Sequence, residues 1–206
     1  MTLTMAQRAA KFALAFPKYP ASWPRVVKER GRDVLYATWV LGNDYRNKTE
    51  FYGAYPPSYL ERAMALFPEM QASETLHAFS GALPSGEYFR LDLDLKDEYR
   101  PEMRGNVKDA RALVDRVLSP HHTFQMIYAD PPYSEADAKQ YGTAMVNRRL
   151  ATAALAEVTR VGGYLAWLDT VWPIHRKTQW VTVGRILVQR STNHRVRVLT
   201  IFERVA

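Results

Sequence analysis

In Thr123-Phe124-Gln125-Met126-Ile127-Tyr128-Ala129-Asp130-Pro131-Pro132-Tyr133 a mainly apolar run ends abruptly on an acid and two prolines. Residues 123–129 suit a short buried strand, and the prolines, with fixed φ and no N–H to give to a ladder, stop it. Outward from this stretch the pattern repeats. Upstream, Thr75 to Phe79 is a short apolar run closed by the turn Ser80-Gly81, and Tyr88 to Leu93 is a second strand with acids at its far end. Lys108 to Leu118 carries Ala110, Leu113, Val114 and Val117 at helical spacing. Downstream, Leu150, Ala153, Ala154, Leu155 and Val158 predict a helix over 144–161, capped by Gly162-Gly163, then a strand from Tyr164 to Leu168. Trp180 to Gln189 and Val196 to Phe202 read as strands whose connection, Arg190 to His194, is short enough for an antiparallel hairpin. Strands alternating with helices predict an α/β fold of three layers, with helices on both faces of a mostly parallel sheet. Such sheets bind ligands beyond the carboxyl ends of their strands, where Ser80-Gly81, Asp92, Asp94 and Asp130 to Tyr133 all fall.

The first 70 residues differ in character. They are rich in aromatics and prolines, with a strand-like run from Asp33 to Leu41 and a helix from Tyr59 to Phe67 opened by Pro57-Ser58 and ended by Pro68. The chain thus divides into an N-terminal extension, 1–70, and a main domain, 71–206. Of its 206 residues 47% are hydrophobic and 24% charged, the balance of a globular protein. It has no cysteine, which excludes disulfides, thiolate metal sites and cysteine nucleophiles. Arg8, Lys11 and Pro17 break the apolar residues near the start, so no signal peptide is expected, and no run approaches the roughly 20 apolar residues of a membrane span. A cytoplasmic protein is expected. The net charge of +7 divides unevenly, with +4 in residues 1–70, −4 in 71–140 and +7 in 141–206. Basic flanks around an acidic middle suit a polyanionic partner such as nucleic acid.

Residues 130–133 carry the most specific chemistry. An amine conjugated to a ring is a poor nucleophile, because its lone pair is delocalised. Acceptors for the amine protons draw the nitrogen towards a tetrahedral, nucleophilic geometry. Asp130 supplies a carboxylate acceptor and the Pro131 carbonyl a second. Pro131 and Pro132 stiffen the turn without competing donors, and Tyr133 offers a flat face for a base taken from its stack.

On these residues, 74–206 resembles the catalytic domain of class I S-adenosylmethionine-dependent methyltransferases, in the amino-methyltransferase branch that includes the DNA adenine N6-methyltransferases. The family's motif, [D/N/S]-P-P-[Y/F/W] after the fourth strand, stands here as Asp130-Pro131-Pro132-Tyr133. The resemblance implies a Rossmann-like sheet of seven strands, the last antiparallel, and S-adenosylmethionine as cofactor. Leu76 to Gly81 is similar to the family's first motif, so Phe79, Ser80 and Gly81 would approach the cofactor. In place of a second glycine two residues on, the sequence has Ala82-Leu83-Pro84-Ser85-Gly86, which implies an altered loop. The acid for the cofactor's ribose would be Asp92, with Asp94 second, and Asp109 would meet its adenine. Tyr55 and Pro56, in Tyr52 to Tyr59, match a segment that folds over the methionine end.

The Asp/Tyr version of the motif is associated with adenine N6, so methylation of adenine in DNA is expected. The alternatives are an RNA base (adenine N6 or guanine N2), a protein glutamine amide, and a binding module without catalysis. DNA is favoured over RNA as partner, with a homodimer or a second protein aiding target recognition. Arg46, Lys48, His175, Arg176 and Lys177 are the expected phosphate contacts. Arg190, Arg195 and Arg197 either share that role or keep an edge hairpin soluble. No metal site is expected at His121-His122, which precedes the central strand, away from the carboxyl ends. His77, Trp167, Trp172 and Trp180 read as packing residues.

Overall fold

The structure, a computed structural model, describes residues 2–42, 55–93, 100–191 and 195–206. Its strands are β1 (Arg25–Glu29), β2 (Arg32–Leu41), β3 (Thr75–Ala78), β4 (Phe89–Asp92), β5 (Met103–Arg104), β6 (Phe124–Ala129), β7 (Thr159–Asp169), β8 (Trp180–Arg190) and β9 (Val196–Arg204). Its helices are α1 (Met5–Ala15), α2 (Tyr59–Ala65), α3 (Ala110–Val117), α4 (Glu135–Gln140) and α5 (Arg148–Glu157). All nine strands join one sheet in the order β1-β2-β8-β9-β7-β6-β3-β4-β5. From β8 to β5 these are the seven strands of the expected Rossmann-like layout, parallel except for β9, which runs against both β7 and β8. The N-terminal segment widens the sheet: β1 and β2 form an antiparallel hairpin, and β2 lies parallel to β8.

The period-2 alternation of the strands divides the core into two layers. Ile127, Ala129, Leu165 and Trp167 face α3 and α5. Met126, Tyr128, Tyr164, Ala166 and Leu168 face α1 and α2 through Phe12, Tyr59, Ala63 and Leu66. Handedness explains the arrangement. From β3 to β5 the chain steps one way across the sheet, and from β5 to β7 it steps back, so right-handed crossovers put the two sets of connections on opposite faces. The return carries α3 and α5. The connection from β3 to β4, residues 79–88, contains no helix. Helices from the N-terminal segment supply the apolar layer on that face, and Tyr55 and Tyr88 close it over β3, each ring edge-on to His77.

The α5–β7 boundary departs from the sequence reading. The helix expected over 144–161 is only α5, and the glycines expected to cap it lie inside β7. Thr159 pairs with Phe124 but Tyr164 with Met126, so a bulge in β7 takes up residues 160–163. Gly162 has φ +78°, and a Cβ on Gly163 would lie 2.8 Å from the carbonyl oxygens of Arg160 and Gln125. Here Gly163 permits close approach of two strands.

Candidate active site

β6 delivers Asp130 to the carboxyl edge of the sheet, where Pro131 and Pro132 end the ladder and Ser134 caps α4, its hydroxyl accepting from the Asp137 N–H at 3.1 Å. The chain turns back within this short reach, and the Tyr133 hydroxyl donates to the Asp130 carboxylate. Arg197, from β9, lies with its guanidinium 4.8 Å from the Tyr133 ring centroid. Across the site, Tyr55 and Tyr59 stack at 5.6 Å, and both feel the charge of Asp130. The Tyr59 hydroxyl is buried and has no hydrogen-bond partner among the described residues. Burial raises the Asp130 carboxyl to about 7, against the pull of the Tyr133 hydrogen bond and Arg197 and with a push from Asp169. A carboxylate there can accept hydrogen bonds from an amine and can take up a proton near neutral pH.

A second group braces the first from the other side of the sheet. Asp169, fully buried at the end of β7, accepts from Arg148 Nε at 2.6 Å and Nη2 at 3.0 Å, from Trp167 Nε1 at 3.0 Å and from the Thr170 N–H at 2.7 Å. Arg148 Nη2 also reaches the Tyr133 carbonyl at 3.4 Å, tying the tetrapeptide to α5 and β7. Sequence reasoning passed over Arg148, Asp169 and Tyr59 and gave Arg197 only a surface role. Arg148 did leave a signal: it is a cation at the first position of a helix, where the dipole disfavours positive charge.

The β3 and β4 ends form the other half of the site. Phe79 and Gly81 take left-handed conformations, with φ +57° and +52°, so the chain leaves β3 sharply. Asp92 holds this turn: it accepts from the Gly81 N–H and from the Leu93 N–H, each at 2.7 Å. Burial raises its pKa against these two bonds. Ser80 is 1% exposed, and its hydroxyl has no partner among the described residues. That orphaned hydroxyl beside a glycine turn fits a polar ligand such as S-adenosylmethionine. Phe79, Ser80, Gly81 and Asp92 are thus brought together. Tyr55 meets His77, with its hydroxyl 3.3 Å from His77 Nδ1, and Pro56 is buried beside it. Burial alone lowers His77 to about 4, so it is neutral at ordinary pH.

Asp109 stands apart from this cluster, exposed at the start of α3 and making no capping bond with its side chain. His175 turns inward, its ring 4.6 Å from Phe202 and its Nδ1 3.2 Å from the Pro173 carbonyl. Arg176 and Lys177 are exposed, whereas Arg46, Lys48 and Asp94 lie outside the described residues. His122 packs against Phe89 and Phe124. Trp167 and Trp180 are fully buried, while Trp172 is 63% exposed with Arg185 over its ring. Among the described residues no group of three acids or histidines is placed to hold a metal ion, and no helix is long and apolar enough to cross a membrane.

No family model matches the chain, and no curated protein matches it. Among solved structures it is similar in outline to TrmN from Thermus thermophilus, at 11% identity and a TM-score of 0.41, over 64% of this chain and 43% of that one. It is similar to an rRNA methylase from Streptococcus thermophilus, at 8% identity and 0.37, over 66% of this chain and 90% of the other. A third is yhhF from Escherichia coli, a proposed methyltransferase, at 10% identity and 0.41, over 88% and 98% of the two chains. At these values the likeness concerns the path of the chain and carries nothing about substrate.

Proposed function

We propose that this protein is an S-adenosylmethionine-dependent methyltransferase that modifies the exocyclic amine of adenine in a nucleic acid. The observation that carries the reading is the Asp130–Tyr133 pair at the carboxyl end of β6, a desolvated carboxylate beside an aromatic ring and a proline carbonyl. Phe79, Ser80, Gly81 and Asp92 would hold the cofactor, with Tyr55 and Pro56 from the N-terminal segment beside them. When bound, the cofactor supplies an electrophilic methyl group on a sulfonium.

The remaining work belongs to this chain's own side chains. Asp130 and the Pro131 carbonyl accept the amine protons and loosen the conjugation of the nitrogen lone pair. Tyr133 stacks on the base with the ring face that Arg197 leaves free. As positive charge develops on nitrogen, Asp130 binds it more strongly than the neutral amine, which lowers the barrier selectively. Asp130 then takes the departing proton, a role suited to a group titrating near 7. In duplex DNA the base must be flipped out, at a cost of a few kcal/mol that stacking on Tyr133 offsets.

DNA is the polymer suggested by the Asp/Tyr version of the tetrapeptide, and Arg176 and Lys177 would contact its phosphates. RNA, at adenine N6 or guanine N2, is the second reading, because the exocyclic base amine is the same in both polymers. The deciding experiment incubates the protein with methyl-labelled cofactor and either DNA or RNA, then digests the product and identifies the nucleoside. N6-methyladenine in DNA is expected. Label confined to RNA, or N2-methylguanosine, overturns the DNA reading. Absence of both label and cofactor binding overturns the enzyme reading in favour of a binding module.

A further inference from the structure

We infer that Arg197 is a positioning residue of this site, holding the Tyr133 ring and the Asp130 carboxylate in the arrangement a bound amine requires. The inference rests on the proposed function and deepens it.

Other buried or half-buried arginines set the comparison. Arg8 pairs with Glu69 at 2.5 Å, Arg90 with Glu102 at 2.6 Å and Arg148 with Asp169 at 2.6 Å. In these three a carboxylate at hydrogen-bond distance offsets desolvation. Arg62, 6% exposed, has no acid among the described residues but lies over the Phe16 and Tyr19 rings and donates from Nη1 to Ser22 Oγ at 3.0 Å. Arg197 has an aromatic ring but neither an acid nor such a hydrogen bond. It is 7% exposed, and among the described residues its Nε and Nη1 have no hydrogen-bond partner and no salt bridge joins it to an acid. Its position follows from the register: on β9 it pairs with Val188 of β8, two residues before Leu199, which faces Leu168 near the end of β7. From there its guanidinium meets the Tyr133 ring at 4.8 Å, and Tyr133 in turn donates to Asp130.

A buried cation that satisfies neither its hydrogen bonds nor an ion pair is costly to the fold. In a purely structural role an apolar residue of similar length would serve better. Its compensation lies in the aromatic face and in the charge of Asp130. Arg197 favours the ionised carboxyl, opposing burial and Asp169, while Tyr133, Tyr59 and Tyr55 are the other titratable groups facing Asp130.

The test is a carboxyl titration of ligand-free protein by carbon-13 NMR, with the Asp130 resonance assigned from Asp130→Asn. In Arg197→Met the Asp130 midpoint should rise by about one pH unit, as expected on losing a nearby opposite charge. Arg197→Lys should restore much of it. In the transfer assay, Arg197→Met should lose about fivefold at pH 7, where that one-unit rise cuts the ionised fraction from about a half to about a tenth, and recover towards wild type at pH 9, with cofactor affinity unchanged. An unmoved midpoint, or an equal loss at every pH, overturns the inference. Should the methionine variant fail to fold, Arg197→Gln takes the same titration with the same criteria. Because the titration needs neither cofactor nor substrate, failure of wild-type protein to transfer methyl would sink the proposed function alone.

Discussion

At the residue scale, Asp130 is the carboxyl most altered by its surroundings at the end of β6. Its pKa rises from 3.8 to about 7 through burial. The folded state therefore holds the Asp130 proton more tightly than the unfolded chain does. Its favourable contribution to stability is complete below about pH 3.8 and is lost as pH climbs through 7. Asp130→Asn escapes that loss. It should be more stable than wild type at pH 8.5, by of the order of 1–3 kcal/mol, with the advantage reduced to less than half at pH 5; urea unfolding at the two pH values measures it. Under the proposed function the same ionisation would set activity: transfer by wild type should rise with pH through about 7, because only the carboxylate accepts the amine protons. Asp130→Asn should lose about a hundred- to a thousandfold in transfer, the scale on which removal of one transition-state acceptor or donor is felt. Its cofactor affinity should stay close to wild type, read by calorimetry. The tetrapeptide was legible in the sequence because all its parts are neighbours in the chain. Arg197, Arg148, Asp169 and Tyr59 were not, because their roles depend on three strands and two helices meeting at one sheet edge.

At the element scale, local signals succeeded where apolar pattern and secondary structure coincided, and failed where two elements abut. β6, β8 and β9 were legible within a few residues. α1 was missed although Thr4 and Gln7 form a capping box, with Gln7 N–H donating to Thr4 Oγ1 at 3.2 Å and Thr4 N–H to Gln7 Oε1 at 2.8 Å. The β1–β2 hairpin was missed although Arg30-Gly31 make its turn with φ of 48° and 80°. The α5–β7 boundary was misplaced because Gly162-Gly163 resembles a helix end, and only the neighbouring strand reveals a bulge. The two glycines therefore make different predictions. Gly163→Ala drives a Cβ against two backbone oxygens that cannot easily yield, and should cost about 2–3 kcal/mol. Gly162→Ala meets no atom and bears only the left-handed φ, so about 1 kcal/mol is expected. Thermal unfolding of the two variants distinguishes them, and equal losses would argue against the bulge.

At the scale of the whole molecule, the N-terminal segment is built into the sheet and the core. Phe12 of α1 stacks on Trp39 of β2 with centroids 5.3 Å apart, inside the same cluster as Tyr128 and Leu168 beneath the site. We expect the segment and the rest of the chain to unfold together. Phe12→Ala should lower stability by about 3–4 kcal/mol and keep a single transition, followed by both tryptophan fluorescence and far-ultraviolet circular dichroism. Two separated transitions would show an independent N-terminal unit. The sequence by itself determined the layer architecture, most of the strands from β3 onward and the placing of Asp130 to Tyr133 together at the end of β6. Strand alternation, helical spacing and proline geometry are local properties that act within a few residues. Tertiary structure alone decided that α1 and α2 cover the face left without a helix between β3 and β4. It alone decided that β2 pairs with β8, and that an unpaired arginine from β9 stands over Tyr133. Those outcomes depend on crossover handedness, strand register and the cost of leaving an apolar face or a buried charge without a partner, and none of these acts between neighbours in the chain.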